Sequence, residues 1–220
     1  MSTLGKMIDR IEDEIADTTL NYQVARSIYS AIEYYETIRW HFNEGQYSWS
    51  TSTGQEYYDP LTEAAPTMTK LPADIDTLRL TTNNNNYLLK KRDWSWMDQI
   101  QSNNSSQGDP VAWCWYKNQI RLWPIPDDTT SVLLMSAVVP PAGVTLSSTD
   151  SKSGTTATNV WFTTAERLIR YRAKADLYAN VRREMNEASK FSAMEAAEYR
   201  KLRYDNANFT SKGRMTATQF

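Results

Sequence analysis

The chain of 220 residues is poor in the residues that most often carry chemistry, with one cysteine, Cys114, and one histidine, His41. A lone cysteine excludes an intrachain disulfide and a thiolate metal cluster. Its place in an alternating strand pattern marks a small buried hydrophobe rather than a nucleophile. His41 has no second histidine for a proton relay, so a structural role between Trp40 and Phe42 is expected of it. No phosphate-binding glycine loop, nucleophile elbow or zinc spacing is present. The paired carboxylates Asp127-Asp128 and Asp74 with Asp76 fall in turn-like stretches, which collect Asp for backbone reasons. No run approaches the roughly 18 apolar residues needed to span a bilayer, and the N-terminus has no apolar core of a signal peptide. These absences lead us to expect neither an enzyme nor a membrane or secreted protein, and no metal or cofactor.

What is abundant is amphipathic aromatic surface, eight Trp and thirteen Tyr. Such side chains fill cores, and they also suit interfaces because they bury area while keeping a polar tip. Net charge is −2 but unevenly spread. Residues 1–44 hold four basic and eight acidic side chains, residues 45–162 eight and eleven, and residues 163–220 twelve and seven. Ends of opposite charge would favour head-to-tail contact with a copy or a partner.

Helical periodicity frames the chain. Leu4, Met7, Ile8, Ile11 and Ile15 share one face, capped by Ser2 or Thr3. Val24, Ile28, Ala31, Tyr35, Ile38 and Phe42 predict a second helix over 20–43, stopped at Gly45. Thr163-Thr164-Ala165-Glu166 has the form of a capping box opening a helix over 163–185, and a further helix is expected over 187–205. From 206 to 220 no periodicity remains, so a polar tail is expected.

Between the helices the pattern changes to strands and turns. Residues 46–72 are rich in Ser, Thr and aromatics, and 71–80 lead from a turn into a strand. The four asparagines 83–86 suit a hairpin loop, and Asp93 a short helix with Trp94, Met97 and Ile100 on one face. Val111, Trp113 and Trp115 alternate with Ala112, Cys114 and Tyr116, the period of a strand. Lys117-Asn118-Gln119 predicts a turn, Ile120–Trp123 a return strand, and Ser131–Val139 a third strand of one meander. Pro124 and Pro126 remove two backbone donors at the elbow. Residues 147–159 contain only Ser, Thr, Asp, Lys, Gly, Ala and Asn, which predicts a mobile loop.

The expected fold class is α+β: a long-helix bundle built from the N- and C-terminal segments, with a small antiparallel β-domain inserted and an extended C-terminal tail. The expected divisions are 1–45 helices, 46–145 β-domain, 146–162 loop, 163–205 helices and 206–220 tail. Basic side chains at 167, 170, 172, 174, 182 and 183 lie along one helix and could face phosphates. The acidic remainder argues against a dedicated nucleic-acid binder. Trp94, Trp96, Trp113, Trp115 and Trp123 allow a rival reading as a carbohydrate- or peptide-binding β-module.

Several stretches, taken in order, resemble the head-to-tail adaptor proteins of tailed bacteriophages, especially short-tailed ones. They are Ile28-Tyr29-Ser30-Ala31-Ile32; Leu71-Pro72-Ala73-Asp74 after Tyr57; Gly108-Asp109-Pro110; Asn118-Gln119-Ile120-Arg121-Leu122-Trp123-Pro124-Ile125-Pro126-Asp127; and Asn159-Val160-Trp161-Phe162, followed by Ala175-Asp176-Leu177-Tyr178. The resemblance implies a virion protein of the phage neck, assembled in the host cytoplasm. It implies a ring of about twelve copies beneath the portal protein, around the channel through which double-stranded DNA passes without sequence-specific contact. It also implies a tail nozzle or tail-tube protein on the other side. On this chain, portal docking would fall to Arg200, Lys201, Arg203, Tyr204, Phe209, Lys212, Arg214 and Phe220. The ring- or channel-facing set would be Arg167, Arg170, Arg172, Lys174, Arg182 and Arg183. A tail-tube gatekeeper or another neck-ring protein is the neighbouring reading.

Overall fold

A computed structural model describes residues 3–82, 85–103, 106–129, 131–140 and 160–214. The elements begin with α1 (Leu4–Ile15) and α2 (Asn21–Glu36). Next come β1 (Glu44–Ser50), β2 (Tyr57–Tyr58), α3 (Pro60–Glu63), β3 (Asp74–Thr82), β4 (Asn85–Leu88), β5 (Lys90–Lys91) and α4 (Trp94–Asn103). Strands β6 (Ala112–Tyr116), β7 (Gln119–Trp123) and β8 (Val132–Val138) follow. The chain then forms α5 (Val160–Thr163), α6 (Glu166–Asp176), a π-helical turn over Leu177–Arg182, and α7 (Met185–Arg214). This is a mixed α+β protein in two compact units: unit 1 joins Met1–Phe42 to Gly143–Phe220, and unit 2 is Asn43–Ala142.

Unit 1 is helical. The α1 stripe Leu4, Met7, Ile8, Ile11 and Ile15 is buried, and the Thr3 hydroxyl accepts the Lys6 N–H at 3.3 Å. The helix stops at Ala16 (φ 53°), whose left-handed backbone and that of Asp17 return N–H groups to Asp13 and Glu12 carbonyls. Helix α2 buries Val24, Ile28, Ala31 and Tyr35 but ends at Glu36, seven residues short of the expected Asn43. The reason is local: the Trp40 indole turns back and donates to the Tyr35 carbonyl at 3.0 Å, closing the last turn. Gly45 therefore lies inside β1 and is not a helix stop.

The expected helix over 163–185 is broken three ways. Thr163 spends its hydroxyl on the Val160 carbonyl at 3.2 Å, so no capping box forms, and Ala165 precedes α6 without a side-chain cap. Residues 160–162, expected in the loop, are helical because Trp161 and Phe162 enter the core at 0% exposure. The helix widens to π geometry after Asp176 and turns at Arg183 (φ 58°). Helix α7 starts at Met185, two residues before the expected 187, and continues to Arg214 in place of an extended tail from 206. One stripe, Ala188, Phe191, Tyr199 and Leu202, packs α7 on the unit 1 core within the expected span, and past it Asn206 accepts the His41 N–H at 2.6 Å. The expected loop 147–159 and the tail beyond 214 lie outside the described residues.

Unit 2 is a two-sheet sandwich with one helical layer. Sheet A runs β1-β8-β3-β4, all antiparallel; sheet B runs β2-β7-β6-β5, with β5 parallel to β6. Trp49, Leu78, Leu80, Trp113, Ile120, Leu122, Leu133 and Met135 form the core shared by the sheets. The alternating residues Ala112, Cys114 and Tyr116 face α4 instead, against Met97, Trp94 and Trp96. Strand β6 is thus covered on both faces, not half-buried.

The β6–β7 hairpin forms as read, with Lys117 (φ 48°) and Asn118 (φ 65°) as a two-residue left-handed turn. The three-strand meander does not. Strand β8 pairs with β1 and β3 in the other sheet. Pro124 and Pro126 offer no N–H, and the Ile125 N–H between them goes to the Ser106 carbonyl at 3.1 Å, so the chain leaves sheet B there. Asp128 then accepts the Ser131 N–H and hydroxyl and the Thr51 hydroxyl. Its carboxylate is a turn device.

Candidate functional site

The α6 cations are the first sequence-predicted set. They are neutralised within unit 1. Glu14 of α1 accepts Arg170 at 3.1 Å and also pairs with Lys174, whose side chain is 6% exposed. Arg172 reaches Glu195 at 2.7 Å, and Arg182 lies 3.9 Å from Asp17 and donates to the Ile15 carbonyl at 3.1 Å. Arg10 of α1 closes the reverse pair with Glu166. The opposite charges of the two chain ends therefore meet each other inside one copy, where burial makes them more effective than exposed pairs. Arg167 lies 3.7 Å from Glu198 but stays 64% exposed; Arg183, also exposed, makes the left-handed turn.

The second set sits late in α7. Arg203 donates to the Arg39 carbonyl at 3.3 Å, and Asn206 accepts the His41 N–H at 2.6 Å. These contacts fasten α7 to the stretch after α2. Arg200 bonds its own helix through the Ala196 carbonyl, Lys201 is exposed, and Tyr204 is 69% exposed. The backbone of Phe209, Lys212 and Arg214 is helical, and Phe220 lies outside the described residues.

Between these sets is a cluster that sequence reasoning missed. Glu195 of α7 accepts the Tyr35 hydroxyl at 2.5 Å and Arg172 at 2.7 Å. The Arg172 guanidinium lies 3.5 Å from the Tyr34 ring centre, and Tyr35 stacks on Tyr199 at 5.9 Å. Burial, then the bond to Glu195, hold the Tyr35 phenol above the ordinary tyrosine range. Burial alone would lower Arg172, but Glu195 outweighs it and the guanidinium is held above its usual value. Spacing along one helix cannot reveal a contact among α2, α6 and α7. The cluster borders a cleft of about 410 Å³ lined by Ser27, Ser30, Ala31, Ala175, Asp176 and Ser189 among others. Asp176 there accepts Ser27 Oγ at 2.6 Å and Asn180 at 2.6 Å, so its carboxylate is already engaged.

Unit 2 places the tryptophans against protein. Trp94 stacks on Tyr116 at 3.7 Å with the Arg121 guanidinium 4.4 Å from its ring centre, Trp96 meets Trp123 edge-on, and Trp113 is 1% exposed. Arg121, 4% exposed, pairs with Glu56. Cys114 is buried, and desolvation raises its thiol pKa. Among the described residues no group of three or more His, Cys, Asp or Glu could hold a metal ion, and no helix is long and apolar enough to cross a membrane.

Both units thus hold much of their charged and aromatic chemistry in internal ties. No curated protein matches the chain. A family model described as SU10 adaptor protein matches residues 2–216, which spans both units. The chain belongs to this SU10 adaptor protein family, a family of bacteriophage head–tail adaptors.

Proposed function

We propose that the protein is the non-enzymatic adaptor ring that joins the portal vertex of the phage head to the tail and surrounds the DNA exit channel. The observation that carries this reading is the family match over residues 2–216, which takes in the helical unit, the β-sandwich and the end of α7. Supporting it, Arg170, Arg172 and Lys174 of α6 are paired inside the copy, which favours a structural part over a nucleic-acid clamp. Double-stranded DNA passes such a ring without sequence-specific contact, and a tail nozzle or tail-tube protein lies on its far side. Portal docking falls to the C-terminal end of α7 and the residues after it, with Lys201 and Tyr204 exposed at its base.

A truncation tests the docking assignment. Removing residues 209–220 spares Arg203 and Asn206, which hold α7 to unit 1. The truncated protein should melt as the full chain does and fail to co-sediment with portal-containing heads. Normal attachment to heads would overturn the assignment.

A further inference from the structure

The two edges of sheet B carry opposite charge. At one edge, β5 and the next residue read Lys90-Lys91-Arg92, all exposed. Lys91 Nζ lies 5.3 Å from the Trp113 ring centre and the Arg92 guanidinium 4.9 Å from that of Trp96. Aromatic faces thus restrain two of the three side chains without cancelling their charge. None of the three forms an ion pair within the described residues, unlike the α6 cations. Asp93, which accepts the Trp96 N–H at 3.1 Å, and Asp74, which borders the cleft of Lys91, keep their charge, and three cations against these two carboxylates leave the edge net positive.

The opposite edge is β2 and its flanks. From Glu56 to Glu63 the chain holds three carboxylates and no base. Glu56 is matched by Arg121, which leaves Asp59, whose carboxylate accepts the Leu61 N–H at 2.9 Å and keeps its charge, and the exposed Glu63.

Lysines on an edge strand discourage pairing of that edge with its own kind. The arrangement therefore disfavours a two-fold β5-to-β5 dimer and leaves the acidic β2 edge of another copy as the complementary surface. We propose that neighbouring copies meet with the basic β5 edge of one, Lys90-Lys91-Arg92, against the acidic β2 edge of the next, Asp59 and Glu63. A contact between two different patches is head-to-tail, the kind that closes into a ring when the rotation between copies permits. It rests on the ring reading above and names the surface that builds the ring.

Zero-length carbodiimide cross-linking of purified particles, followed by peptide mass spectrometry, tests it. Sheet B is four strands wide, so its two edges are about 14 Å apart within one copy, beyond the reach of a direct amide bond. A Lys90 or Lys91 amide to Asp59 or Glu63 is therefore a bond between copies. The expected result is that amide, in a ladder of dimers, trimers and larger species. A ladder formed only through other residue pairs overturns the interface while the ring reading stands. No ladder, from particles that hold a single copy, overturns both. In addition, the K90E/K91E/R92E variant should lower adaptor content per particle at least tenfold with an unchanged melting curve. Normal content would also overturn the interface.

Discussion

Replacing Glu195 by Ala removes the group on which α2, α6 and α7 converge. Two charge-assisted bonds are lost, one from the Tyr35 hydroxyl and one from Arg172. Bonds to charged groups contribute about 1.5–3 kcal/mol each. The Arg172 side chain keeps 30% of its surface in water, so its loss costs less than the roughly 3–5 kcal/mol of a fully buried pair. We expect a net loss of about 2–3 kcal/mol, which for a protein of this size lowers the melting temperature by about 6–9 °C. Far-UV circular dichroism is the assay, because α1, α2, α6 and α7 give most of the helical signal. Glu195→Gln keeps an acceptor for Tyr35 and should lose about half as much. A Tyr35→Phe/Glu195→Ala cycle should show a coupling near 1 kcal/mol.

The same cluster sets an alkaline limit. The Tyr35 phenol is raised in the folded state, by burial first and by Glu195 second. Its contribution is fully present below the ordinary tyrosine value of about 10 and is lost as pH climbs through the folded value. Stability of the wild type should fall above about pH 10, and less steeply in Tyr35→Phe. A Glu195→Ala melting point within about 2 °C of wild type, or strict additivity in the cycle, would refute the idea that this cluster ties the helices together.

Three further outcomes are expected. Ala16→Gly should raise the stability of unit 1 by about 0.5–1 kcal/mol in denaturant titration, because the left-handed backbone at φ 53° costs an L-residue and not glycine. Glu56→Ala takes the carboxylate from Arg121, whose side chain is 5% exposed. It should destabilise unit 2 by about 2–3 kcal/mol, read by tryptophan fluorescence. Cys114, buried and with its thiol pKa raised by desolvation, should resist thiol reagents in the native protein and react at the rate at which unit 2 opens. Fast labelling under native conditions would contradict its placement between β6 and α4.

Where one face or one turn decides the structure, the sequence was readable. The α1 stripe, the Asp93 cap and the Asn118 turn all appear where local spacing and turn chemistry predict them. Reading failed where a distant partner decides. Trp40 ends α2 by folding back on it, β8 leaves its neighbour for sheet A, and α7 continues past Asp205, where Asn206 bonds the distant His41 N–H. The charge asymmetry of the chain ends was visible as composition. That it closes within one copy through Glu14, Arg170 and Lys174 depends on α1 lying beside α6, which no local pattern encodes. Of the six cations over 167–183, Arg170, Arg172, Lys174 and Arg182 are engaged within the copy, whereas Arg167 and Arg183 stay exposed.

The proposed function requires copies of this chain to form a ring between portal and tail. Electron cryo-microscopy of the particle neck would show it. The expected density is a ring of this fold beneath the portal, coaxial with the DNA channel. Density for the neck that cannot hold these two units, with this chain absent or placed elsewhere in the particle, would contradict it.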